Sequence, residues 1–271
     1  MGLSEQQRNE IATLLQNKIR KKLIEYSPES QHMPFHVRLL GQDRMALFSF
    51  IHSINTMLGS AIFEQVAVII ARPHFKQVIS QYKGLPDSIS EESQRVIQRI
   101  MDNLETGSTK PNKEAETKSI LQVAQTGTIK RVKKPCVDLF LQTEDGSEYY
   151  FDIKTAKPNI EGFADFKRKT LEWIAIRGTV NPLPTRIYTG LAIPYNPYEP
   201  KPYARWTLQG MFELSQEIKV AEEFWDFLGG KDTYSQLLEV FEQTGIQLRP
   251  EIDARFSQFA PRQGRKENTD A

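Results

Sequence analysis

Cysteine is almost missing from this chain. Cys136 stands alone among 271 residues, which excludes an internal disulfide and fits a reducing compartment such as the cytoplasm. It also excludes zinc sites built from several thiolates. Histidine is scarce, and His32, His36, His52 and His74 show no ligand spacing such as HExxH. Long apolar runs are missing too. Residues 43–71 are the most apolar stretch, yet His52, Ser53, Asn55, Ser60, Glu64 and Gln65 interrupt it, short of the roughly 18 apolar residues that mark a membrane helix. The opening MGLSEQQRNE has no apolar segment, so secretion is not expected. Charge of one sign is lacking: the formal net charge is +1. The whole-chain field therefore does not steer toward nucleic acid, and a polyanion site must be a local patch or use bound cations. A glycine-rich phosphate loop, a GxSxG elbow and a CxxC pair are absent, which removes ATPase, serine-hydrolase and thiol-redox signatures.

What is present is a globular composition, 39% hydrophobic and 25% charged, able to bury a core unaided. Ile11, Leu14, Leu15, Ile19, Leu23 and Ile24 recur at helical spacing over 4–26. Segment 27–42, with Pro28, Pro34 and Gly41, reads as a connector. Residues 43–71 read as a buried helix broken near Gly59. Another helix is expected over 88–105, with Ser88 and Glu91 in capping-box spacing. The polar 106–118 reads as an exposed loop. Two β-rich runs follow, 137–141 and 149–153, separated by Glu144-Asp145-Gly146-Ser147, a hairpin signal. A helix over 162–177, a strand over 187–193, a proline- and tyrosine-rich loop over 194–205, and helices over 207–228 and 233–244 complete the chain. No internal repeat is visible. The order implies an α/β fold with a small mixed β-sheet flanked by helices, with extra N- and C-terminal helices. One domain is expected over 1–261: a helical N-terminal region (residues 1–105), a catalytic core (residues 106–195), and a recognition loop with C-terminal helices (residues 196–261). A disordered tail, 262–271, would follow.

The chemistry sits in the hairpin. Asp152 and Lys154 are two apart on a strand and share a face. A loop of 144–146 sets Asp138 opposite Asp152, a loop of 145–147 sets it opposite Lys154, and a two-residue turn opposite Ile153. The functional reading needs one of the odd loops or a bulge. Two carboxylates on adjacent strands hold one or two hard cations through oxygen, with the Ile153 carbonyl as a further candidate ligand. Such cations, magnesium above all, stabilise the in-line hydrolysis of a phosphodiester. Lys154 is placed to orient or deprotonate water, or to neutralise the scissile phosphate. The competing reading is a solvated hairpin with a plain Asp-x-Lys ion pair.

Pro135-x-x-Asp138 followed by Asp152-Ile153-Lys154 resembles the PD-(D/E)xK nuclease signature, with the proline three residues before the aspartate instead of adjacent. HSINTMLGSAIFEQVA (52–67), VDLFLQTEDGSEYYFDIKTAKPN (137–159) and EFWDFLGGKDTYSQLLEVFEQTG (223–245) resemble the TdeIII-type restriction endonucleases over about residues 40–250. The resemblance implies a restriction-endonuclease-like core. It also implies a type II enzyme that cuts double-stranded DNA, at a GGNCC-like site, leaving 5′-phosphate ends. Cutting both strands of a symmetric site favours a homodimer, and a cognate DNA methyltransferase would act in the same system without contact. A repair or junction nuclease, or a non-catalytic DNA-binding protein on the same core, are the alternatives.

Glu64 is the only charged residue between Arg44 and Arg72. Its helix face carries Ser53, Ser60, Ala67 and Ala71, opposite a stripe of Leu47, Phe48, Ile51, Leu58, Ile62, Val66 and Ile69. A lone buried carboxylate needs a partner, and in PD-(D/E)xK nucleases an acid from a preceding helix often joins the metal site. Glu64 is thus expected beside Asp138 and Asp152; a bond to an arginine or a backbone amide is the alternative. Lys130, Arg131, Lys133 and Lys134, and then Lys167, Arg168 and Lys169, are candidate phosphate contacts. Asn196, Lys201 and Arg205 are candidate base readers. Solvated basic faces and a rigid proline loop are the competing readings.

Overall fold

The computed structural model describes residues 2–27, 33–154, 162–203 and 210–258. They form two compact units, one of Met1–Leu3 with Phe63–Ser235 and one of Ser4–Ile62 with Gln236–Ala271.

The first unit carries the sheet. In chain order it holds α4 (Phe63–Ala71), β1 (Gln77–Tyr82), β2 (Ser88–Ser90), α5 (Glu91–Glu105), α6 (Lys113–Val123), β3 (Ile129–Arg131), β4 (Val137–Gln142), β5 (Glu148–Ile153), α7 (Phe163–Arg177), β6 (Ile187–Ile193), α8 (Leu214–Glu217), β7 (Ile218–Val220) and α9 (Glu222–Gly229). The five-stranded sheet runs β1-β4-β5-β6-β7, antiparallel through β5 and parallel from β5 to β7. This is the mixed sheet flanked by helices that the sequence implied. Parallel β5 and β6 need a crossover, and α7 supplies it. Its Leu171, Trp173 and Ile174 pack with Phe140 of β4 and Tyr150 of β5 in one buried cluster. On β6, a Cβ at Gly190 would lie 2.3 Å from the Glu217 carbonyl oxygen, so only glycine lets α8 approach that strand.

The second unit is helical: α1 (Glu5–Glu25), α2 (Pro34–Leu40), α3 (Gln42–Met57), a π-helical turn at Leu58–Ile62, and most of α10 (Thr233–Ser257). Ser4 and Gln7 form a capping box at the start of α1. Tyr26, Phe50 and Phe256 stack edge to face in the core, and Arg20 grips Glu251 with Nε and Nη2.

Several expectations change. The apolar stretch 43–71 is broken near Gly59, as expected, by the π-helical turn at Leu58–Ile62, but it is not buried throughout. Leu47, Phe48 and Ile51 of α3 are 46%, 61% and 50% exposed, whereas Ile62, Val66 and Ile69 are buried. The π turn inserts extra backbone, which shifts the helical phase and splits the expected stripe. Segment 27–42 contains α2. Some of the polar 106–118 belongs to α6, whose N-cap Asn112 accepts from the Ala115 N–H at 2.9 Å. Ser90, not Ser88, caps α5, because Ser88 lies in β2. Where a helix is expected over 207–228, the described residues hold α8, β7 and α9. Helix α10 runs past Gly245 and contains Pro250. Strand β1 has no counterpart among the expected elements. The tail 262–271 lies outside the described residues, and none of their helices is long and apolar enough to cross a membrane.

Candidate active site

The hairpin register follows from its turn. Gly146 adopts φ +82°, and the Asp145 carboxylate accepts from the Ser147 N–H and hydroxyl, each at 3.1 Å. The Thr143 N–H donates to the Ser147 carbonyl at 3.0 Å, so the loop is 144–146. A three-residue loop with glycine in the left-handed position is a favoured hairpin connection. The ladder pairs Leu139 with Phe151. One step further, the same register sets Asp138 against Asp152, the first of the three alternatives.

At that step the carboxylates take over from the ladder. Asp138 Oδ2 accepts from the Ile153 N–H at 2.9 Å. Asp152 is fully buried, and each of its oxygens meets an ammonium. Lys169 of α7 donates to Oδ1 at 2.8 Å, and Lys154 lies 2.8 Å from Oδ2. The Lys154 ammonium thus faces Oδ2 as an ion pair, and the Lys169 ammonium faces Oδ1. Burial raises the pKa of Asp152, but the Lys169 and Lys154 charges hold it below the usual carboxylate value. Asp138 goes the other way: burial and the Asp152 charge push it up to about 7. One carboxylate is thus kept ionised and its neighbour kept ready to hold a proton, the pattern expected of like charges sharing a site.

Glu64 is buried on α4. Its Oε2 accepts from the Gln81 amide at 2.8 Å. Burial raises its pKa, and the Asp152 charge raises it further. Gln81, on β1, has φ +50°, and in the β1–β4 register it falls opposite Asp138. A non-glycine residue held there is strained. Its amide oxygen also accepts from Cys136 Sγ at 3.3 Å. Nothing in the local sequence marks Gln81; it is found only once β1 is placed.

The family description "Type II restriction endonuclease, HinfI" matches residues 3–245. The chain belongs to the HinfI family of type II restriction endonucleases. Among its relatives are the type II restriction enzymes HgiCII and HgiEI of Herpetosiphon aurantiacus. HgiCII is 28% identical, the alignment covering 85% of this chain and 84% of HgiCII; HgiEI is 25% identical, over 86% and 84%. MjaII of Methanocaldococcus jannaschii is 25% identical, over 83% of this chain and 65% of MjaII. This HinfI-family chain is accordingly an enzyme, a site-specific deoxyribonuclease, with DNA as its substrate.

Type II restriction enzymes generally need a divalent metal. Among the described residues, no three histidine, cysteine, aspartate or glutamate side chains converge closely enough to hold one by themselves. The donors that do fit are oxygens: Asp138, the buried Asp152, and the Ile153 carbonyl at the same strand end. Hard oxygens at a paired-carboxylate site suit a hard cation.

The basic clusters of the HinfI-family chain divide. Lys167 is fully buried and pairs with Glu116 at 2.6 Å and Glu217 at 2.8 Å, so it cannot reach a phosphate and leaves the contact set. Arg168 is near the surface and donates to Gln98 at 3.0 Å. Lys169 turns to Asp152. Consecutive helix residues point about 100° apart, which is why three adjacent cations cannot share one DNA-facing surface. Lys130 pairs with Glu91 at 2.5 Å and Arg131 with Asp87 at 3.0 Å, while Lys133 and Lys134 are exposed. Asn196 donates to the Lys201 carbonyl at 2.7 Å and accepts from the Tyr198 N–H at 3.0 Å, so its amide braces the loop. Lys201 is exposed; Arg205 lies outside the described residues. A 560 Å³ cavity is lined by Tyr82, Lys134, Glu148 and Arg177, and Asp138, Asp152 and Lys154 are not among its lining residues.

Proposed function

We propose that this chain hydrolyses double-stranded DNA in a magnesium-dependent reaction at the Asp138–Asp152–Lys154 site, leaving 5′-phosphate and 3′-hydroxyl ends. The observation that carries this is the register: Asp138 stands opposite Asp152 at a strand end, with the Lys154 ammonium 2.8 Å from Asp152. One or two cations would be held by Asp138, Asp152 and the Ile153 carbonyl, with Glu64 joining directly or through water. When bound, the metal supplies Lewis-acid stabilisation of charge on the phosphate. The chain's residues do the rest. Asp138 must release its proton for both carboxylates to serve as ligands. Lys154, resting over the Phe166 ring at 4.8 Å, donates to the attacking water or to a phosphate oxygen and holds it in line. Lys133, Lys134, Lys130 and Arg131 contact backbone phosphates, and Lys201 and Arg205 read base edges.

The cleaved target is a GGNCC-like site, a reading that rests on the TdeIII-type resemblance. The active form is a two-fold homodimer acting in the cytoplasm, with a methyltransferase protecting the same site. Purified protein, plasmid and magnesium test this directly. Discrete bands whose sequenced ends share one motif support it. A smear indicates a repair-type nuclease, and intact plasmid bound by the protein indicates a non-catalytic DNA-binding module.

A further inference from the structure

The motif accounts for one lysine at Asp152, yet the structure brings two. Lys169 lies seventeen positions after Asp152 in sequence and reaches it from α7. The two ammonium groups divide the carboxylate, one 2.8 Å from each oxygen. Each also rests on an aromatic ring of α7: Lys154 over Phe166 at 4.8 Å, Lys169 over Trp173 at 5.1 Å. Trp173 is buried in the core, so the ring under Lys169 is fixed. The side chain of Lys169 is 37% exposed, against 25% for Lys154. In this arrangement each oxygen of Asp152 has an ammonium against it. A divalent cation approaching it meets two like charges at contact distance from its own ligand, and Coulomb repulsion in a buried site is weakly screened.

We propose that Lys169 is a second active-site lysine that stands in for the metal's charge on Asp152 and leaves when a divalent cation binds, its ammonium then facing the phosphate of bound DNA. Two features favour Lys169 over Lys154 as the group that moves. It is the more exposed, and it sits on α7 instead of beside Asp152 in the chain. The arrangement keeps a buried carboxylate compensated in the metal-free enzyme, where it would otherwise be costly. It also supplies a positive group to the substrate once metal is in place.

The inference rests on Asp152 being a metal ligand, and calorimetry with calcium in the absence of DNA separates the two ideas. Lys169→Met removes the charge and keeps the stem over Trp173, so it should bind calcium about tenfold more tightly than wild type. Lys169→Arg keeps the charge and should stay within about twofold of wild type. With saturating magnesium, single-turnover cleavage by Lys169→Met should fall by about tenfold or more, the loss expected when a group that contacts the phosphate is removed. Unchanged or weaker calcium binding by Lys169→Met overturns the competition, as does an equal gain in Lys169→Arg. Cleavage at the wild-type rate overturns the phosphate role. If Asp152→Asn binds calcium as well as wild type does, the metal-ligand reading itself fails, a result distinct from either.

Discussion

At the scale of single residues, the site is defined by two carboxylates that the environment drives apart. Asp138→Asn and Asp152→Asn keep shape while removing charge. Each should lower cleavage by more than about a hundredfold with DNA binding retained, as gel-shift and plasmid assays would show; cleavage near the wild-type rate in either variant refutes the site. Lys154→Met should still bind calcium yet cut about a hundredfold more slowly. Glu64→Gln should fold normally but need more magnesium for the same cleavage rate, and a wild-type magnesium profile would return Glu64 to a structural role. The pH dependence has a definite sign. In the folded, metal-free protein Asp138 titrates near 7, above its ordinary 3.8. The unfolded chain gives up that proton first, so raising the pH from about 4 to about 7 removes stability from the folded state. Asp152, held low, contributes in the opposite sense: its stabilisation is present above about pH 4 and is lost only in stronger acid. Urea midpoints at pH 5 and pH 7.5 should therefore differ less in Asp138→Asn than in wild type.

At the scale of elements, the turn determines the chemistry of the strands. Gly146 at φ +82° and the Asp145 carboxylate hold a loop of 144–146, and that loop alone aligns Asp138 with Asp152. Gly146→Val places a β-branched residue in the left-handed region, at a cost of about 1–2 kcal/mol. Its thermal midpoint should drop, and its cleavage should drop further than the stability loss explains, because a register slip would aim Asp138 at the opposite face. Equal losses of stability and activity would argue that the turn serves folding alone. In the segment between β3 and β4, Lys133 and Lys134 are exposed, whereas Lys130 and Arg131 have acidic partners. Replacing Lys133 or Lys134 should lower the salt slope of log affinity by about 0.9 and leave the cut sequence unchanged. Slopes identical to wild type for both would make this strip a solvated surface.

At the scale of the molecule, a two-fold enzyme that cuts each strand with one active site makes a sharp prediction. Wild type mixed with excess Asp152→Asn should form hybrids with one working site. Such hybrids should convert supercoiled plasmid to nicked circles that accumulate before linear product. If the mixture gives only linear product at a proportionally reduced rate, each protomer cuts both strands unaided.

The local sequence was sufficient for the hairpin, for Asp138, Asp152 and Lys154 on it, and for α7 and β6 beyond it. Runs of β-forming residues, a glycine turn signal between them and a helical repeat are properties of neighbouring residues and survive tertiary context. The loop length, and with it the Asp138–Asp152 register, was left open by the sequence. Burial of Glu64 was readable for a related reason, since it is one charge amid small and apolar neighbours. Only the tertiary structure could decide what long-range packing decides. It moved Lys167 into a buried ion pair with Glu116 and Glu217, and it turned Lys169 onto Asp152 although both lysines belong to one basic tripeptide. It placed Gln81 opposite Asp138 on β1, a strand absent from the expected elements although Val78, Ile79 and Tyr82 favour one. It also left Phe48 exposed and Val66 buried on either side of the expected break near Gly59. In each case the deciding contact comes from residues far away in sequence, and the local pattern carries no record of them.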